Sequence, residues 1–91
     1  MQVKYTKHYL NKLEDLFSET EYSLRYEKGS FQSGYCILND TKVAVVNKFF
    51  AVDGKINCLV DILKSIPVDE RNLSDKNRVL YSEVAQTSLE L

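Results

Sequence analysis

Lys42-Val43-Ala44-Val45-Val46-Asn47 is the stretch on which the fold turns. Its uninterrupted apolar centre, mostly β-branched, suits an extended strand and is far too short to span a bilayer. Side chains alternate along a strand, so a run with no polar residue places apolar groups on both faces. Just upstream, Tyr22, Leu24 and Tyr26 alternate with Ser23, Arg25 and Glu27, the rhythm of a strand with one wet face. Gly29-Ser30-Phe31-Gln32-Ser33-Gly34 breaks that rhythm, and Tyr35 to Leu38 resumes it. Asn39-Asp40-Thr41 then supplies a turn, because Asn and Asp side chains bond the local backbone and tolerate the left-handed region. Two hairpins in series predict a three-stranded antiparallel meander.

Helical periods flank these strands. Thr6 can cap a first helix over 6–18, with Tyr9, Leu10, Leu13, Leu16 and Phe17 on one stripe and Lys12, Glu14, Asp15 and Glu19 opposite. Asp53 can cap a second helix carrying Ile56, Leu59, Val60, Leu63 and Ile66, which Pro67 ends. The order α-β-β-β-α predicts an α+β two-layer sandwich over 1–66, both helices on one face of the meander. Residues 67–91 read as a polar, partly flexible C-terminal tail. Within it, Val79-Leu80-Tyr81 fits a short helix begun at Ser74 or an edge strand.

A simple meander leaves the third strand at an edge, and an exposed apolar edge promotes aggregation unless something covers it. Two covers are available: the Val79–Tyr81 segment, or the same strand of a second molecule. The expectation is a homodimer through Val43 and Val45, with Phe49 and Phe50 strengthening the contact if they point outward rather than under the second helix. Phe31, at the tip of the 29–34 loop, is a further candidate anchor, unless it folds back onto the sheet.

Composition bounds the alternatives. The chain has 91 residues, net charge −1, 44% hydrophobic residues, and only one Pro against three Gly, so it can bury one core. No start resembling a signal peptide is present, and a cytoplasmic placement away from membranes is expected. Cys36 and Cys58 suit a reducing compartment as small buried hydrophobes. His8, Cys36 and Cys58 lack the paired spacing of a zinc site, so no metal or other cofactor is expected. Gly29 and Gly34 have phosphate-loop spacing, but Tyr35-Cys36 follows where Lys-Ser/Thr is required. A catalytic triad would depend on His8 alone, and no catalytic residue is assigned.

The α-β-β-β-α order resembles the double-stranded-RNA-binding domain. That resemblance implies a lysine cluster at the start of the second helix, where only Lys55 stands, with Lys42 and Lys48 to add charge, so nucleic acid is not the expected partner. At Arg25-Tyr26-Glu27-Lys28-Gly29, Gly34-Tyr35-Cys36 and Val46-Asn47-Lys48, over residues 5–66, the chain is similar to a small family of uncharacterised bacterial proteins without an established activity. It also resembles the strand–strand–helix core of zincin-type metallopeptidases, in which that helix carries His-Glu-x-x-His. Here it reads Ile56-Asn57-Cys58-Leu59-Val60-Asp61-Ile62-Leu63, so the resemblance implies a fold without the chemistry. The resulting expectation is a non-enzymatic protein-interaction module with an unidentified protein partner or a second copy of itself. A double-stranded-RNA-binding-like module and a small enzyme or degenerate metallopeptidase-like domain are the alternatives.

Overall fold

The first helix, α1 (Lys7–Ser18), begins where Thr6 Oγ1 accepts the Tyr9 N–H at 3.1 Å, and it buries Tyr9, Leu10, Leu13, Leu16 and Phe17. This computed structural model describes residues 4–29 and 34–87. Three strands follow, β1 (Ser23–Glu27), β2 (Tyr35–Leu38) and β3 (Val43–Asn47), then the helix α2 (Val52–Ser65). A 3₁₀ turn at Glu70–Asn72 leads into a last helix, α3 (Asp75–Gln86). The α2 helix starts one residue before the expected cap. Ala51 is its N-cap, and Asp53 lies in the first turn, where Asp53 Oδ1 accepts the Gly54 N–H at 2.9 Å.

The α+β class holds, but the antiparallel meander does not. Strand order is β1-β3-β2, with β3 in the middle, parallel to β1 and antiparallel to β2. Arg25 and Cys36 both pair with Val45, and Tyr26 and Tyr35 both pair with Val46. The third strand is therefore no edge. A run apolar on both faces belongs between two neighbours, because the centre of a sheet is where both faces lose most water. The connection from Glu27 to Tyr35, too long for a tight hairpin, lets the chain step past β3 to the far side. Asn47 pins both ends of that step: its N–H donates to Gly34 O at 2.9 Å and its Nδ2 to Gly29 O at 3.3 Å.

The core lies on one face of the sheet. Ala44 and Val46 are fully buried there, joined by Leu24, Tyr26, Tyr35 and Ile37 from the outer strands. The α1 helix rests on β1 and α2 on β3, while α3 packs on α1 and α2. The α2 helix also buries Cys58 and Ile62, beyond the stripe expected for it, and Cys58 Sγ stands close to Gly34 beside the sheet. Past Pro67 the segment around Val79 is helical, and Leu73, Leu80 and Val84 enter the same apolar cluster.

Candidate functional site

Among the described residues no helix packs on the opposite face of the sheet. Alternation puts Ser23, Arg25 and Glu27 of β1, Val43 and Val45 of β3, and Cys36 and Leu38 of β2 on it. Val45 is only 8% exposed, yet it stands outside the core cluster. Val43 and Cys36 are half-buried and Leu38 is 45% exposed. Arg25 Nε meets Glu27 Oε2 at 2.9 Å along the β1 margin.

The aromatic residues after β3 part company. Phe49 is 69% exposed, its N–H donated to Asn47 Oδ1 at 3.0 Å and its ring under the Lys48 ammonium at 5.3 Å. Phe50, still 37% exposed, lies against backbone. A Cβ on Gly34 would collide with its ring, and one on Gly54 would come within 3.0 Å of it. Gly34 also has φ +86, so both the backbone angle and the approach of Phe50 require glycine there. Phe31 lies outside the described residues.

Chemistry-bearing side chains gather around α2, but in forms that resist reaction. Tyr26 Oη donates to Glu14 Oε2 at 2.5 Å, with the Lys55 ammonium 5.1 Å over its ring. Burial, then the Glu14 carboxylate, pushes the Tyr26 phenol well above its ordinary value. On the other flank Tyr35 Oη donates to Asp61 Oδ2, and that hydrogen bond, with burial, pushes the Tyr35 phenol up to about 12. Burial and the nearby Asp61 push the Cys58 thiol up as well. Phenols and a thiol raised in this way stay protonated at neutral pH, the opposite of what a base or nucleophile needs. The two tyrosines act as ties between sheet and helices. Sequence alternation showed that Tyr26 faces inward; its carboxylate partner, twelve residues upstream on α1, left no signal in the pattern.

His8 is exposed on the rim of a cleft of about 310 Å³ between α1 and α3, beside Lys12, Asp15 and Glu83. Among the described residues no group of three or more His, Cys, Asp or Glu side chains is placed to hold a metal ion. No helix among them is long and apolar enough to cross a membrane. The lysines weighed for RNA are dispersed and engaged: Lys42 on Glu21 at 3.1 Å, Lys48 on Phe49, Lys55 on Tyr26.

No protein-family model, curated protein or solved structure matches the chain. The resemblances to a small bacterial family and to a zincin-type core therefore rest on the quoted residues alone, and they bring no activity to this site.

Proposed function

We propose that the chain is a non-enzymatic protein-interaction module that self-associates through the helix-free face of its sheet. The observation that carries this reading is Val45, an apolar residue outside the core cluster at the centre of a face that, among the described residues, no helix covers. Because β3 has a strand on each side, a partner reaches it only through its face. Val43 and Leu38 extend the apolar patch, and Phe49 is exposed two residues beyond the end of β3.

A second copy suits this face for two reasons. Sheets stack about 10 Å apart with interdigitated side chains, which would place Val43, Val45 and Leu38 between apolar rows. The margin carries Arg25 and Glu27 two residues apart, opposite signs that a two-fold-related copy can exchange. Light scattering coupled to size exclusion, over a concentration series reaching about 100 μM, tests the proposal. Wild type should form dimers, whereas Val45→Lys and the more exposed Leu38→Lys should elute as folded monomers. A monomeric wild type would remove self-association. Dimers that persist in both variants would remove this face as the contact.

A further inference from the structure

The sheet has a second opening, along the outer edge of β1. Backbone groups of successive strand residues point to alternate sides. The Ser23 N–H donates to Lys42 O at 2.9 Å, and Glu27 O accepts the Lys48 N–H at 3.1 Å, so Ser23, Arg25 and Glu27 turn their backbone toward β3. Leu24 and Tyr26 turn theirs outward. Among the described residues no partner meets the N–H or C=O of either. The next outward residue, Tyr22, donates its N–H to Thr20 Oγ1 at 3.2 Å, which closes the open stretch at that end.

This edge borders a cleft of about 430 Å³ between β1 and α1, with Glu14 and Ser18 on the helix side and Tyr22, Leu24 and Tyr26 on the strand side. Among the described residues the charged side chains lining it are Glu14 and Glu21, with the Lys55 ammonium 5.1 Å over the Tyr26 ring. Tyr26 bonds one oxygen of Glu14, and the Lys42 ammonium reaches Glu21 from outside the cleft. An exposed pair of the latter kind exchanges partners at little cost.

We infer that this edge and cleft dock an extended, basic segment of another protein, added beside β1 as a fourth strand. Four backbone groups, on Leu24 and Tyr26, supply the hydrogen bonds. Alternate side chains of the incoming segment face α1, where lysine or arginine meets Glu14 and Glu21, and pattern of charge rather than a deep pocket gives the selectivity. This site lies on the edge of the sheet, away from the face assigned to self-association, and does not depend on that reading.

The test uses the full chain labelled with ¹⁵N and two kinds of capped hexapeptide, alternating lysine–valine and alternating glutamate–valine. The lysine peptide should give saturable shifts at the Leu24 and Tyr26 amides, with Kd on the order of 100 μM to 1 mM at low salt. It should also slow hydrogen exchange of those two amides. Glu21→Lys, at an exposed position, should weaken binding about fivefold. Of two lysine peptides N-methylated at complementary alternate residues, one should lose binding and the other keep it, because a strand shows only one side to the edge. Absence of saturation, equal binding of the glutamate peptide, or retention by both methylated peptides would overturn the proposal. Slowing of the same two amides with chain concentration alone would give the edge to a second copy, and would overturn it too.

Discussion

Two helices lie against α1, and different forces hold them. The α2 helix buries Ile56, Cys58, Leu59, Val60, Ile62 and Leu63, a broad apolar arc, while Asp61, Lys64 and Ser65 on its other side stay exposed. The α3 helix buries only Asn77, Leu80 and Val84, and polar clamps fix its first turn. There Glu19 Oε1 accepts the Ser74 N–H at 2.7 Å, while Asp15 Oδ2 accepts Asn77 Nδ2 at 3.1 Å and meets Lys76 Nζ at 3.3 Å. Two carboxylates, Asp15 of α1 and Glu19 at its C-cap, thus stand at the positive end of α3, where the helix dipole favours them. Apolar area fastens one helix, and a few directed bonds fasten the other.

The contrast breaks most sharply with truncation. Leu59→Ala, at a site with no exposure, should cost about 3 kcal/mol in urea unfolding, since a cavity opens where sheet and helices meet. Val84→Ala, equally buried but on α3, removes less side chain and should cost about 2 kcal/mol. A loss at Val84 matching or exceeding that at Leu59 would make α3 the more tightly held helix.

Acid sharpens the comparison. Hydrogen bonds from the Ser74 backbone and from Asn77 hold the Glu19 carboxyl below its ordinary value, and bonds from Asn77 and Lys76 do the same for Asp15. Lowered native values mean that this contribution is complete above the ordinary carboxylate range. It fades as the pH falls from about 4.5 toward the lowered values. Amides in the first turn of α3 should therefore shift and lose protection in that window before those of α2. Coincident loss in both helices would show that the clamps do not govern α3 separately.

A smaller effect of opposite sign comes from the β2–β3 turn. Lys42 has φ 55, a left-handed angle that costs a residue with a side chain about 1 kcal/mol. Lys42→Gly should stabilise the sheet by up to about that amount, because the exposed Lys42–Glu21 pair it removes contributes little. The gain belongs to the sheet, so the order in which α3 and α2 respond to acid should not change.

The apolar half of the contrast could be read in the sequence. The stripes from Tyr9 to Phe17 and from Ile56 to Ile66 announce buried helices, whereas the burial of Cys58 and Ile62 beyond that second stripe was not foreseen. The polar half could not. Asp15 and Glu19 look like residues of a wet helix face, and nothing local shows that Asn77, sixty-two positions away, folds onto Asp15. The candidate site was half visible for a related reason. Val43 to Val46 stood out as apolar on both sides, but its place in the sheet depends on how far the Lys28–Gly34 connection carries the chain. Periodicity has no measure of that distance. β1 is an edge strand in either arrangement, and the other open edge passes from β3 to β2.

The interleaved strand order also bears on how the sheet comes together. A short turn joins β2 to β3, whereas Ser23 must find Val43 across about 20 residues, with β2 lying between them in the chain. The hairpin can form within microseconds, while parallel docking of β1 must wait for the longer loop to close. Like β2, β1 has only one neighbour, but its pairing alone depends on closing the longer loop, so sub-global opening should begin at β1. Hydrogen exchange on the native chain would then show β1 amides sampling the open state more often than their partners in β3. The recognition edge would thus be the part of the sheet that a ligand most readily stiffens.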